Sequence, residues 1–275
     1  MKRIQRILDD AFSAANWLVT KPSDGLRKEC YIAQNSHRAV FIKFDVPVDE
    51  LRRLGEMGVS PKVLASGLCD GVSYVVQEYI HGKYPDRAWI ARNIPKISAT
   101  IRIYHQDETL KGLLARRQPF DYASRLKADL CDLRTRIYSR RRRRVKCMRQ
   151  VFQEFSKEAD TLGDVPLVPV HNEPNCKNML VVHNDLLFID WDEITLADPI
   201  RDLGVFLWWH VPQIQWETLF RCYGQALTED TKRKIYWFAA RASLDVALWH
   251  PEGSLQEEEF LTDFLAAHRK QPNGR

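Results

Sequence analysis

The chain has 275 residues, of which 45% are hydrophobic, so it can bury a sizeable core and lies near the upper size limit of a single domain. Its longest apolar stretches are too short to span a bilayer, and its six scattered cysteines form no CxxC pair, so we expect a cytoplasmic protein with reduced thiols and no membrane anchor. The net charge of +5 arises from residues 134–149, which contain nine lysines and arginines and no acid; removing these nine leaves 32 basic against 36 acidic side chains.

The first elements of the chain predict a helix followed by a hairpin. Apolar residues in 1–17 recur at helical spacing, which predicts one short amphipathic helix. The segments CYIAQ and AVFIKF are rich in strand formers and flank the polar turn NSHR, which predicts a β-hairpin between residues 29 and 43.

A second helix and two more strands complete the first part of the chain. The segment VDELRRLGEMG has helical spacing and ends at Gly58, and the strand-like runs VLASGL and SYVVQEYI follow it. Gly82 and Pro85 then end this block. We therefore expect residues 1–80 to form a small antiparallel sheet with one main helix.

Residues 81–275 are predicted to form a larger, mostly helical lobe. Apolar and aromatic residues recur at helical spacing from about 86 to 160 and again after Asp198, with short strands between these regions. The basic run Arg140–Arg144 cannot form one face of a helix, because successive side chains point around the axis. Most of these side chains are expected to be solvated, and contact with an anion or a nucleic acid stays open as an alternative.

Polar residues between 169 and 202 stand at the ends of strand-like apolar runs. His171, Glu173 and Asn178 precede the strand NMLVV, and Asp190 and Asp192 follow the strand LLFID. A tight hairpin would bring Asn178 and Asp190 to the same end of adjacent strands. An amide oxygen and a carboxylate suit Mg²⁺ that holds ATP phosphates, so this end of the hairpin is a predicted metal site.

Three segments in this region carry a resemblance to a known family. HNEPNCKN (171–178) resembles the catalytic loop HxDxxxxN of the aminoglycoside phosphotransferase and choline kinase families, which are distant relatives of protein kinases. FIDWD (188–192) resembles their metal-binding IDWE segment, and ADPIRDLG (197–204) resembles the DPxxDLA stretch beyond it. The resemblance implies an α+β, two-lobed protein kinase-like fold that binds ATP and Mg²⁺.

The resemblance also implies roles for individual residues of the second lobe. Asn178 and Asp190 would hold Mg²⁺, with Asp192 as a further outer ligand. Glu173 and His171 belong to the catalytic loop, where Glu173 would orient the acceptor hydroxyl and take its proton. A position matching Asp202 steadies this loop from beneath in the family, so Asp202 is expected to be structural.

The first lobe agrees with the resemblance in the order of its segments. VFIKF resembles the strand that carries the phosphate-binding lysine, which would be Lys43. The following helix would supply the acid that pairs with this lysine, for which Glu50 is the first candidate and Glu56 the second. VVQEYIHG resembles the hinge that contacts adenine, through the backbone of Glu78, Tyr79 and Ile80.

Two departures from the family pattern bear on activity. The third position of the catalytic loop is an aspartate in the family, and this chain has Glu173, whose extra methylene displaces the carboxylate. The loop that covers the phosphates has only Gly25, in PSDGLRKE, which makes it a poor phosphate loop. Activity is therefore expected to be slow, re-aimed at an unusual acceptor, or absent.

The acceptor is left open between several classes of small molecule. Arginines near the cleft would repel a polycation, whereas the acidic run Glu257–Glu259 would suit a cationic acceptor if the arginines face away. Tryptophans in the last third of the chain could cage a quaternary ammonium group, although such residues are more often helix core; they are Trp208, Trp209, Trp216, Trp237 and Trp249.

The sequence thus predicts an ATP-dependent phosphotransferase that acts on a hydroxyl of a small molecule, such as an aminoglycoside, a choline-like amino alcohol or a sugar. The alternative is a kinase-fold binding or regulatory protein that has lost turnover because of the change at Glu173. The oligomeric state stays open.

Overall fold

The computed structural model describes residues 2–13, 16–22, 28–117, 121–140, 143–163 and 165–271, with the side chains of 143–147 outside the description. Gly25 of the predicted phosphate loop and the side chains of Arg141–Arg144 therefore lie outside the described residues.

Five antiparallel strands form the sheet of the N-terminal lobe, in the order β1-β2-β3-β5-β4. Strand β3 buries Val40, Ile42 and Phe44 on one face and places Lys43 on the other, as the two-residue period of a strand requires. The strands are β1 (Leu18–Thr20), β2 (Cys30–Gln34), β3 (Ala39–Phe44), β4 (Val63–Cys69) and β5 (Val72–Glu78).

Two helices accompany this sheet, α1 (Lys2–Ala11) and α2 (Val48–Glu56). The predicted order of two strands, one helix and two strands is confirmed in β2 to β5. The first helix is shorter than the predicted 1–17, since Asn16 has a φ of 67°, which cannot continue a right-handed helix. Trp17 instead packs into the core between the sheet and α1.

The second lobe is mostly helical, as predicted. Two of its helices, α8 (Ile200–His210) and α10 (Glu229–Trp249), cross so closely that a Cβ on Gly204 would lie 3.1 Å from the Cα of Ile235. The helices are α3 (Arg87–Arg92), α4 (Ile94–His105), α5 (Glu108–Arg117), α6 (Tyr122–Ser139), α7 (Arg143–Glu158), α8 (Ile200–His210), α9 (Trp216–Tyr223), α10 (Glu229–Trp249) and α11 (Leu255–His268).

Two pairs of short strands lie between these helices. Strands β7 (Met179–Val182) and β8 (Asp185–Phe188) form the predicted hairpin, and β6 (Val168–Val170) pairs with β9 (Thr195–Ala197), a strand that the sequence pattern did not reveal. The catalytic-loop segment therefore runs from β6 to β7, and the predicted metal-binding segment runs from β8 to β9.

The hairpin is bonded to the N-terminal lobe and to the segment after β5. The Phe188 amide donates to the carbonyl of Val59 at 2.8 Å, and Lys83 and Val181 exchange two backbone hydrogen bonds of 3.0 and 2.8 Å. Gly82 permits this approach, since a Cβ there would lie 3.0 Å from the Cβ of Leu180. These bonds fix the position of the site relative to the sheet.

The first arginine of the basic run is structural rather than solvated. Arg140 donates to the carbonyls of Leu248 and His250 at 2.5 and 3.0 Å, and it lies 3.7 Å from the carboxylate of Glu257. Glu257 is only 1% exposed and also accepts from the amide of Gly253. The expected acidic surface at 257–259 is therefore partly internal, and Arg140 closes the end of α10.

Trp208, Trp216 and Trp237 are buried, which agrees with their interpretation as helix core, while Trp249 is 57% exposed. Within the described residues, no helix combines the length and apolar character needed to cross a bilayer.

Candidate active site

The β7–β8 hairpin brings Asn178 and Asp190 to one end of the C-terminal lobe. Asn178 ends the short 3₁₀ helix Cys176–Asn178 directly before β7, and Asp190 follows β8. The amide of Ile189 donates to the carbonyl of Asn178 at 2.9 Å, which extends the ladder by one pair beyond Met179 and Phe188. The predicted proximity of the two residues at one hairpin end is confirmed by this register.

The side chain of Asn178 is oriented by the loop that precedes it. Its Nδ2 donates to the carbonyl of Glu173 at 3.0 Å. Since the amide nitrogen is engaged in this bond, the Oδ1 atom is the group that stays available for a cation. The described residues place no hydrogen-bond donor on that oxygen.

Two carboxylates converge on one positive charge beside this hairpin end. The Lys43 Nζ lies 2.7 Å from Asp190 Oδ1 and 2.8 Å from Asp192 Oδ1. Burial alone would lower the pKa of the Lys43 ammonium, but the charges of Asp190 and Asp192 outweigh it and raise that pKa. The ammonium thus lies where two carboxylates of the predicted metal-binding segment converge on a cation.

Asp190 is held in a backbone conformation that non-glycine residues seldom adopt. Its φ is 64°, which lies in the left-handed region. Trp191 anchors the next position, because its indole donates to the carbonyl of Phe188 at 3.0 Å and its ring is buried beside His171. Backbone strain of this kind is concentrated at binding and catalytic sites, which agrees with the role predicted for Asp190.

The expected ion pair between Lys43 and the α2 helix is not the one that the structure contains. Glu50 is 5% exposed and lies 3.3 Å from the guanidinium of Arg117 on α5, and Glu56 lies 3.4 Å from Arg53. Lys43 is instead engaged by Asp190 and Asp192. The pairing predicted for Glu50 and Glu56 is therefore wrong for this conformation, and the reason is that a cation from α5 reaches Glu50.

His171 supports the catalytic loop from within the core. It is fully buried, its Nε2 donates to the carbonyl of Ile189 at 2.9 Å, and its Nδ1 accepts from the amide of Glu173 at 3.3 Å. Burial lowers the pKa of the imidazole, so the ring is neutral. With both ring nitrogens engaged, His171 orients the loop rather than contacting an acceptor, which corrects its grouping with Glu173 as a catalytic residue.

Asp202 holds the loop from beneath, as the resemblance implied. Its Oδ2 accepts from the amide of His171 at 2.7 Å and from the hydroxyl of Tyr104 at 2.9 Å, and its Oδ1 accepts from the amide of Asn172 at 2.8 Å. Burial alone would raise the pKa of this carboxyl, but hydrogen bonds and charge, first of all from His105, lower it. Asp202 is therefore ionised and fixes two consecutive amides of the loop.

Replacing Asp202 with asparagine is expected to lower the free energy of unfolding by about 3 kcal/mol at pH 7, because one NH₂ group would face amide and hydroxyl donors in the core. The pKa of Asp202 is lower in the folded chain, so its stabilisation is present above the unfolded pKa of about 3.9 and is lost as the pH falls through the folded value.

Urea unfolding between pH 3 and 7 measures this difference. We expect a constant gap between the wild type and Asp202→Asn above about pH 5 and a narrowing gap below about pH 4. The exposed Asp160→Asn variant serves as the control and should match the wild type. Equal stability of Asp202→Asn and the wild type at pH 7 would contradict the assignment.

Glu173 belongs to the loop, and its carboxylate interacts electrostatically with the buried Arg241 on α10. The carbonyl of Glu173 accepts a hydrogen bond from Asn178. Burial alone would lower the pKa of the Arg241 guanidinium, but nearby carboxylates raise it. Asp129 and Asp245 have the larger effects on that pKa, and the carboxylate of Glu173 adds to them. Arg241 itself donates from Nε to Asp129 at 2.7 Å. The longer glutamate thus places its carboxylate within the electrostatic reach of a cation on α10.

Among the three predicted hinge positions, the described residues leave one backbone donor unpaired. The amides of Glu78 and Tyr79 donate to the carbonyls of Lys62 and Ala39 at 3.0 and 3.2 Å. Among the described residues, the amide of Ile80 has no acceptor. Of the three predicted hinge positions, Ile80 therefore has the free N–H that an adenine ring requires.

Sequence reasoning missed Arg117 and Arg241. Arg117 donates to the carbonyl of Ile194 at 3.0 Å as well as contacting Glu50, so it joins α2 to the segment that follows Asp192. Both arginines come from helices distant in sequence from their partners, and no local spacing signals such contacts.

Comparison with known proteins identifies relatives over most of the chain. A family model described as "Phosphotransferase enzyme family" matches residues 4–238. A choline/ethanolamine kinase family protein from Mesorhizobium loti has a TM-score of 0.65 at 18% identity, covering 90% of this chain and 88% of that one. Choline kinase LicA from Streptococcus pneumoniae has a TM-score of 0.63 at 18% identity, covering 98% of each chain.

A third solved structure, the GDP complex of aminoglycoside 2′-phosphotransferase-IIIa, has a TM-score of 0.70 at 14% identity, with coverage of 98% of this chain and 99% of that one. At these identities the structural likeness shows the fold, and the expected two-lobed kinase-like architecture is thereby confirmed.

Proposed function

The chain belongs to the phosphotransferase enzyme family, and we propose that it transfers the γ-phosphoryl group of ATP to a hydroxyl group of a small molecule. The observation that carries this proposal is the convergence of Lys43, Asp190 and Asp192 beside Asn178, at one end of the β7–β8 hairpin. Phosphoryl transfer depends mainly on positioning and charge neutralisation, which such a set of residues supplies.

Nucleotide binding is supported by the hinge and by Lys43. The free amide of Ile80 is suited to donate a hydrogen bond to a ring nitrogen of adenine, and the Lys43 ammonium lies on the sheet face opposite the N-terminal core. The structural relatives agree, since LicA was solved with AMP, spectinomycin phosphotransferase with ADP, and the 2′-phosphotransferase with GDP. The choice between ATP and GTP stays open.

The residues present fit a magnesium ion. Asp190 and Asn178 offer the hard oxygen ligands that Mg²⁺ prefers, with Asp192 as a further carboxylate. The ion pairs of the Lys43 ammonium with both carboxylates support a cation position at this end of the hairpin. Bound there, the metal would neutralise charge on the transferring phosphates.

Glu173 is the proposed general base. It occupies the third position of the loop, where His171 holds its amide and Asp202 holds the amides of the two residues before it. Its carboxylate would orient the acceptor hydroxyl and take its proton. Trp208, Trp216 and Trp237 are core residues and offer no ammonium cage. The acceptor otherwise stays open among the classes of small molecule that the sequence left open.

The alternative of a kinase-fold binding protein is supported by one observation. Lys43 is engaged with both aspartates while Arg117 holds Glu50, so the ion pair that marks a catalytically assembled kinase lobe is absent from this conformation. An active enzyme must exchange these partners when the nucleotide binds.

Replacing Arg117 with glutamine tests this exchange. Because the pair with Glu50 must break before Glu50 reaches Lys43, its removal is expected to raise the affinity for Mg²⁺-ATP about threefold, in line with the modest energy of a half-exposed ion pair. Calorimetry measures the change, and Arg116→Gln, an exposed neighbour on α5, is the matched control. Unchanged or weaker binding in Arg117→Gln would contradict the exchange.

The function itself is tested by calorimetry and by turnover. ATP should bind in the presence of Mg²⁺, and one acceptor in a panel of aminoglycosides, choline and other amino alcohols, sugars and nucleosides should drive Mg²⁺-dependent ATP consumption. ATP binding without any turnover across the panel would favour the regulatory alternative. No ATP binding at all would refute both readings.

A further inference from the structure

A cavity lies where the two lobes meet, apart from the candidate active site. Its volume is about 560 Å³, which is within the range of small-ligand pockets. It is bordered by residues 58–62 after α2, by α4, and by the outer edge of β8. It shares Glu78 with the predicted hinge contacts and contains none of Lys43, Asn178 or Asp190.

The backbone of Leu186 is unpaired at this cavity. The amide of Ile189 donates to the carbonyl of Asn178, directly before β7. Because backbone groups alternate in direction along a strand, the N–H and C=O of Leu187 and Asp185 also point toward β7, and those of Phe188 and Leu186 point away from it. Phe188 donates outward to Val59. Leu186 is 4% exposed, and within the described residues neither its N–H nor its C=O has a partner.

A second orphaned group lines the same cavity. The hydroxyl of Ser60 is buried, at 3% exposure of the residue, and has no hydrogen-bond partner. Buried polar groups are almost always satisfied, and leaving one unpaired costs about 1–3 kcal/mol. Three unpaired polar groups, from Ser60 and from Leu186, therefore border one cavity.

Charges of both signs surround these groups. Lys62 and Lys96 line the cavity together with Glu78 and Asp185, and in the part of the chain that is described none of the four belongs to an ion pair. Ala99 and Ile103 on α4, with Leu187, supply an apolar wall. The cavity thus offers a strand edge, an apolar wall and balanced charge.

We propose that this cavity binds a short zwitterionic peptide, which pairs in an extended conformation with the N–H and C=O of Leu186. A peptide residue presents one donor and one acceptor at the spacing of a strand edge, which is how extended peptides add to exposed sheets. Its termini would meet the lysines and the acids, and an apolar side chain would lie against Ile103 and Leu187.

Nuclear magnetic resonance with the free tripeptide Ala-Leu-Ala tests the proposal on the ¹⁵N-labelled full chain, without nucleotide or metal. We expect saturable shifts, centred on the amides of Leu186 and Ser60, at about millimolar peptide. Absence of shifts, or shifts scattered away from residues 58–62 and β8, would overturn the proposal. Since no nucleotide is used, failure here leaves the proposed kinase function untouched.

A variant that fills the cavity sharpens the test. Ala99 is exposed on α4, so Ala99→Trp should fold and should weaken tripeptide binding at least about tenfold by occupying the apolar wall. Ala115→Trp, on an exposed position of α5, is the matched control and should bind the tripeptide like the wild type. The proposal of a separate peptide site would be wrong if Ala99→Trp bound the tripeptide as tightly as the wild type. It would also be wrong if Mg²⁺-ATP displaced the tripeptide.

Discussion

Replacing Asp190 with asparagine is expected to lower kcat at least about a thousandfold and to remove the dependence of ATP binding on Mg²⁺. The substitution removes the negative charge that faces Lys43 and the proposed metal position. Asparagine is also one of the few residues that tolerates a φ of 64°, so the backbone of this segment should be preserved. The loss would therefore report on chemistry rather than on folding.

Calorimetry with and without Mg²⁺, together with single-turnover kinetics, measures both effects. Asp160→Asn, which changes an exposed carboxylate far along the chain from the site, should leave kcat and ATP affinity unchanged. Metal-dependent ATP binding of normal strength in Asp190→Asn would show that Asp190 is not the metal ligand.

Changes at Glu173 are expected to have the second-largest effect. Glu173→Gln should lower kcat by about 10²–10⁴ while leaving the KM for ATP unchanged, because a general base acts on the acceptor and not on nucleotide binding. Glu193→Gln, an exposed carboxylate on the segment after Asp192, is the matched control. Full activity in Glu173→Gln would remove Glu173 from the mechanism.

The shorter variant Glu173→Asp separates a tuned enzyme from an impaired one. Its carboxylate retracts by one methylene, away from the influence of Arg241, and a shift of about 1 Å can cost about a hundredfold in rate. We expect a loss of that size in kcat. A large gain would instead show that the glutamate has impaired an ancestral activity, and the regulatory alternative would then be favoured.

The sequence predicted those parts of the molecule whose geometry is local. The β7–β8 hairpin followed from two apolar runs around a polar turn, and its tightness alone places Asn178 opposite Ile189, next to Asp190. The role of Asp202 followed from the order of the family segments. The strand that carries Lys43 followed from the resemblance of VFIKF, and it is β3 in the structure.

Contacts between distant helices could not be predicted in this way. Glu50 was matched with Lys43 by its position along the chain, but Arg117, 67 positions later, reaches it first. Glu257 was grouped with an acidic run that would suit a cationic acceptor, and nothing in the sequence indicated its contact with Arg140, more than a hundred positions earlier. Such pairs depend on how helices pack, and a periodic pattern contains no information about partners across the core.

The most direct test of the proposed site is a crystal structure of the chain with Mn²⁺ and a non-hydrolysable ATP analogue, in which anomalous scattering locates the metal. We predict a metal bound by Asn178 and Asp190, with the ammonium of Lys43 moved from the two aspartates to the phosphates. A metal elsewhere, or a Lys43 that still bridges Asp190 and Asp192 in the presence of nucleotide, would contradict the account.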